Sequence, residues 1–109
     1  MRFTDQPRDF QIEVRSVDAA VVVTARGEVD IITAPRLQQA LTEAGSGIVV
    51  ADLTAVPFFD SAGLNALIQA SDGAELRIAA SRAVHRPMEA TGLAKVIPTY
   101  DSVDAALAG

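Results

Sequence analysis

The stretch IVVADLTAVPFFDSAGLNALI, residues 48–68, decides how the chain folds. Its first part, Ile48–Leu53, is apolar without alternation except at Asp52, the pattern of a strand covered on both faces or set in a sheet centre. Its last part, from about Ala62 to Ala70, spaces apolar residues as a helix does. Asp60 and Ser61 occupy the seam. Both residue types satisfy the orphan N–H groups of a helix start, so on spacing alone the pair reads as a helix cap. A serine on such a seam can also expose its hydroxyl.

Upstream, Phe10–Val17 alternates through Phe10, Ile12 and Val14 against Gln11, Glu13 and Arg15, as a strand with one wet face does. Val17-Asp18-Ala19 is a tight connection into the apolar run Ala20–Ala25, so the first two strands form an antiparallel hairpin. Gly27-Glu28-Val29-Asp30 breaks the pattern as a loop. Thr33 is placed to cap a helix with Pro35 in its first turn, and Leu37, Ala40, Leu41 and Ala44 give that helix its apolar stripe before Gly45 and Gly47.

Downstream of the seam, Asp72-Gly73 is a turn, Leu76–Ala80 a strand, Arg82–Thr91 a helix stopped by Gly92, and Val96–Thr99 a short edge strand. Ser102 caps a last helix through Leu107. Beyond the hairpin, strands and helices alternate strictly, which implies a largely parallel sheet with right-handed crossovers. The 109 residues suffice for one core and not two. Residues 1–10, mostly polar and carrying Pro7, are expected to form a flexible N-terminal arm ahead of a domain over 11–109.

Composition narrows the functions. The net charge of −5 repels phosphate backbones and anionic lipid, so neither nucleic acid nor a membrane surface is expected as partner. The chain has no cysteine, which removes disulfides and thiolate chemistry. No signal peptide begins it and no apolar run is long enough to span a bilayer, so a cytoplasmic protein is expected. No cofactor motif such as GxGxxG, GxxxxGK[ST] or HExxH is present. His85, the only histidine, is expected on the surface, on a different loop from Ser61, so a Ser–His–Asp site is not expected. Asp30, Asp52 and Asp60 all fall at carboxyl ends of strands, where acids can hold Mg²⁺, but they are spread over separate loops and no metal site is expected.

Two features favour a switch over a bare cap at Ser61. Ala62-Gly63 leaves the backbone beside the serine accessible, and from Ala55 to Ser71 the only ionisable side chain is Asp60. Phe58, Phe59, Leu64, Leu67 and Ile68 cannot all point inward, so a docking surface with one central charge is expected here. A phosphate on Ser61 would add about −1.5 to −2 charges and act on whatever partner covers the site. Read from the residues alone, the cap and the switch both remain open.

The segment DLTAVPFFDSAGLNALI resembles the signature of the STAS domain, in particular that of the small bacterial anti-sigma-factor antagonists. Gly27-Glu28-Val29-Asp30 is similar to the family's GE-x-D loop, and Ala90–Val96 to its small-polar-Gly-Leu turn. The resemblance implies a single STAS-type α/β domain, with a mostly parallel central sheet, an N-terminal antiparallel hairpin strand and about four helices. It also implies a non-catalytic protein that works by partner switching. When unphosphorylated, the protein binds an anti-sigma factor with serine kinase activity and frees the sigma factor. Phosphorylation of the serine that falls on Ser61 releases the kinase, and a PP2C-type phosphatase resets the protein. By the same resemblance, Glu28, Asp30, Asp60, Ala62, Gly63 and Leu64 flank the site or touch the partner. The alternative is a scaffolding or ligand-sensing STAS module in which Ser61 is only a helix cap. The chain departs from the family pattern in the helix after the signature, which is shorter by about one turn, or about 5 Å.

Overall fold

The computed structural model describes residues 10–109; the arm expected at the N-terminus therefore lies outside the described residues, except for Phe10. Strands β1 (Gln11–Val17) and β2 (Ala20–Arg26) form the antiparallel hairpin, turning at Asp18 with φ of 53°. Helix α1 (Ala34–Glu43) leads to β3 (Ile48–Ala55), α2 (Ser61–Ala70) to β4 (Glu75–Ala80), and α3 (Arg82–Ala90) to β5 (Thr99–Tyr100), before α4 (Val103–Ala108). The five strands lie in sequence order, with every pair after the hairpin parallel.

That order accounts for the layering. Each crossover steps one strand in the same direction, so crossovers of one hand place their helices on one face. Leu37 and Leu41 of α1, Ala66 and Leu67 of α2, and Val84 and Met88 of α3 bury against Val23, Val49, Ala51, Leu53 and Ile78 in the main core. Alternation sends Val22, Val50 and Ala79 to the other face, where Ala106 of α4 covers them. Phe10 closes the edge of the main core; the Arg36 guanidinium lies 5.0 Å from its ring centroid.

Arg77 holds α4 to the sheet. Its guanidinium donates to the carbonyl oxygens of Ala106 (2.9 Å) and Leu107 (3.4 Å), and it pairs with Glu75 at 2.7 Å. A cation at the end of a helix complements its exposed carbonyls and dipole. Arg77→Ala is expected to cost about 2 kcal/mol. This should be read as a fall in melting temperature on the order of 10 °C, with faster amide exchange concentrated in α4.

The last strand differs from the expected Val96–Thr99. Gly92 adopts φ of 81°, and a 3-10 turn over Leu93–Lys95 follows it. Val96 is exposed while Ile97 plugs the core. Pro98 has no N–H to give a ladder, yet its carbonyl accepts from the Ile78 amide at 2.9 Å, so pairing begins only at Thr99. Among the described residues, no helix is long and apolar enough to cross a membrane.

Candidate functional site

The carboxyl ends of β2 and β3 run into two loops, and the fold stitches these loops together. The Val29 amide donates to the Phe58 carbonyl at 2.8 Å, and the Asp60 amide to the Val29 carbonyl at 3.3 Å, a parallel bridge pairing Val29 with Phe59. Both paired side chains are buried, which anchors the bridge in the core. Glu28 and Asp30 on one loop are thereby brought alongside Asp60 and Ser61 on the other.

Each loop is rigid for a local reason. The Asp30 carboxylate accepts from the amides of Ile32 (2.9 Å) and Thr33 (3.1 Å), an Asx turn that leads into α1. Thr33, buried, donates its hydroxyl to the Glu28 carbonyl at 2.7 Å and accepts from the Asp30 amide at 3.0 Å. Thr33 holds the cap position of α1, but its side chain serves the loop, not the helix. The Glu28 side chain is exposed.

At the seam the capping work falls on one residue of the pair. The Asp60 carboxylate accepts from the Ala62 amide at 2.9 Å, and its carbonyl takes the amides of Gly63 (3.0 Å) and Leu64 (3.2 Å). Asp60 is thus the N-cap, and Ser61 is the first residue of α2. Ser61 is exposed, and its hydroxyl makes no hydrogen bond to any described residue. With the first-turn amides engaged by Asp60, a group attached to the Ser61 oxygen is left facing solvent. A helix cap and a free hydroxyl coexist here on adjacent residues.

The residues after the serine play different parts. Gly63 is buried, and a Cβ there would lie 2.5, 2.7 and 2.9 Å from carbons of the Phe59 ring. Its lack of a side chain lets Phe59 lie against α2 and keep the bridge to Val29 in place. Ala62 and Leu64 are half-buried and pack against the main core. Phe59 and Leu67 point inward, whereas Phe58 is 47% and Ile68 46% exposed, so the expected division of this apolar set between core and surface is present.

Two surface residues were not legible as part of this site: Ile31, 76% exposed, and Ile32, 61% exposed. They follow Asp30 directly, on the loop bridged to Phe58–Asp60. Their signal in the sequence is that they fall outside both the β2 run and the α1 stripe, leaving two large apolar side chains with no local element to bury them. With Phe58 they put three large exposed apolar side chains on the two bridged loops, and exposed apolar surface of this kind marks an interaction site.

Two other side chains lie away from this site, Asp52 apart from the loop acids as expected and His85 less solvated than expected. Asp52 does not join the acids of the loops: it shares the α4 side of the sheet, accepting from Thr24 (3.0 Å) and Thr54 (2.7 Å) hydroxyls, and so satisfies the buried Thr24. His85 is not simply solvated; its ring is 27% exposed and bonds Asp101 at 3.0 Å, tying α3 to the segment before α4. Among the described residues, no three His, Asp or Glu side chains are grouped to hold a metal ion.

The five-stranded sheet in sequence order, with Asp60 capping α2 ahead of an exposed Ser61 beside the bridged Gly27–Asp30 loop, is the arrangement that the resemblance to the STAS domain implies. The sequence model of the STAS domain matches residues 11–106, and the chain belongs to that family. The chain is 30% identical to the anti-sigma-F factor antagonist RsfB of Mycobacterium tuberculosis over 111 aligned positions, covering 94% of this chain and 91% of RsfB. The crystal structure of an anti-sigma factor antagonist from Mycobacterium paratuberculosis superposes with a TM-score of 0.80 at 32% identity, covering 96% of this chain and 97% of that one. Unphosphorylated SpoIIAA, also an anti-sigma factor antagonist, has the same fold at a TM-score of 0.63 and 18% identity, over 90% of this chain and 92% of its own.

Proposed function

We propose that this chain is an anti-sigma-factor antagonist controlled by phosphorylation at Ser61. In its unphosphorylated form it binds an anti-sigma factor that is also a serine kinase, through the surface formed by the two bridged loops and the start of α2. Phosphorylation of Ser61 by that kinase releases it, and a PP2C-type phosphatase restores the binding form. The chain itself catalyses nothing and acts in the cytoplasm. Glu28, Asp30 and Asp60 flank the acceptor, while Ile31, Ile32, Phe58, Ala62 and Leu64 supply apolar contact.

The observation that carries this reading is the division of labour at the seam. Asp60 caps α2, so the exposed Ser61 hydroxyl is not needed by the helix and is open to modification. The relatives named as anti-sigma factor antagonists, at 30% identity and above, support the partner class. Release follows from electrostatics. A phosphate adds about −1.5 to −2 charges beside the Asp60 carboxylate, on a chain whose net charge is already −5. A partner covering apolar side chains around it would have to desolvate that charge, and residues 55–71 supply no basic side chain to offset it.

The test is phosphate transfer. Incubated with the cognate anti-sigma kinase and ATP, the wild-type chain should gain one phosphoryl group by intact-mass analysis, mapped to Ser61. Ser61→Ala should gain none yet still bind the kinase. Uptake at another residue, or loss of binding in Ser61→Ala, would contradict the assignment.

A further inference from the structure

A groove of about 510 Å³ lies beside the β3–α2 connection, floored by Ala55, Val56 and Pro57 and walled by Arg82 and Arg86. The floor leads directly into Phe58 and Asp60-Ser61. The wall is fastened to it: the Ser81 hydroxyl donates to the Val56 carbonyl at 2.6 Å and the Ser81 amide to the Leu53 carbonyl at 3.3 Å. The groove therefore lies at the carboxyl end of β3, on the connection that leads to Ser61.

The two arginines are placed against the interests of their own helix. Arg82 is the first residue of α3, where a cation opposes the helix dipole, and the first turn contains no acid. Arg86 sits one turn on, at the spacing where like charges repel. Both are exposed, and neither forms an ion pair among the described residues, whereas Arg26 and Arg77 each have a carboxylate partner. On a chain of net charge −5, this is an uncompensated positive wall over an apolar floor.

We propose that this groove docks an acidic, leucine-bearing segment of a protein partner, with its carboxylates on Arg82 and Arg86 and its apolar side chains on the exposed Ala55 and Pro57. Guanidinium groups pair with carboxylates through parallel hydrogen bonds, and the floor takes the intervening apolar groups. A long polyanion is disfavoured because the acidic remainder of the surface repels it, while a short acidic stretch meets only the groove. That the segment belongs to the protein covering Ser61 rests on the function proposed above; the preference of the groove for carboxylates does not.

The experiment is a titration of the isotope-labelled full chain, followed by NMR, with a short blocked peptide of alternating glutamate and leucine. Saturable shifts are expected in residues 54–57 and 81–86, with affinity falling roughly tenfold as salt rises from about 0.05 to about 0.3 M. Arg82→Glu should weaken the peptide by roughly tenfold or more. The same change should raise the melting temperature by a few degrees, because glutamate suits the helix start and pairs with Arg86. A purely structural Arg82 would lower it. The proposal is overturned by equal binding of a lysine–leucine peptide, by undiminished binding in Arg82→Glu, or by the absence of saturable shifts. It is also overturned if inorganic phosphate or ATP shifts these residues where the peptide does not, which would mark a phosphoryl site. No anti-sigma factor is used, so failure here leaves the Ser61 reading standing, and failure of that reading leaves this result intact.

Discussion

Ser61→Glu is expected to bind the anti-sigma factor on the order of a hundredfold more weakly than wild type, a loss of about 3 kcal/mol, while melting within a few degrees of it. The two halves of this result have separate causes. Glutamate at the first position of α2 is favoured by the helix dipole by about 0.3–1 kcal/mol and opposed by the neighbouring Asp60 carboxylate, so the fold barely registers it. The partner registers it fully, because the charge would be buried under a surface that closes over Ile31, Ile32 and Phe58. Added salt should not restore binding, since a desolvated charge is poorly screened. Isothermal calorimetry at two salt concentrations, beside a thermal melt, reads all three quantities. A Ser61→Glu chain that binds as wild type does would remove electrostatic release from the account.

Gly63→Val has the opposite profile and the largest effect on the fold. A side chain there meets the Phe59 ring at 2.5–2.9 Å, and the ring is hemmed in by the core and by the Val29 bridge. Elsewhere in a helix, replacing glycine would gain something from helix propensity. Here overpacking should dominate, at about 3 kcal/mol, seen as a fall in melting temperature on the order of 15 °C. Phe59 also holds the two loops together, so partner binding should drop with stability. Combining Gly63→Val with Phe59→Leu should recover part of both losses, giving a coupling energy of about 1 kcal/mol or more in a double-mutant cycle. Additive effects of the two substitutions would show that the glycine is not there for the ring.

The fold was legible because its signals are local. The alternation of β1, the unbroken apolar runs of β2 and β3, and the stripe of α1 each declare themselves within one element, and their order dictates a parallel sheet. β5 was displaced because its pairing depends on where Ile97 is buried and where Pro98 can accept, and these are tertiary facts. The loop Gly27–Asp30 was recognisable, but not that Thr33 would hold it by bonding Glu28 and Asp30 in place of capping its own helix. At the seam, Asp60 and Ser61 were interchangeable as caps by residue type. Backbone direction separates them, turning the Asp60 carboxylate back to the Ala62 amide and Ser61 out. Asp52 grouped with the loop acids by position along its strand, yet alternation sends it to the other face, to Thr24. Arg77 on the α4 carbonyls spans 29 residues, beyond any local pattern.

The most direct test of the central claim uses the chain with phosphoserine installed at Ser61 and nothing else changed. Its affinity for the cognate anti-sigma kinase is measured against that of the unmodified chain. A stable complex is expected with the unmodified chain, no detectable complex with the phosphorylated one, and full recovery after treatment with a PP2C-type phosphatase. Equal affinity of the two forms would contradict the claim.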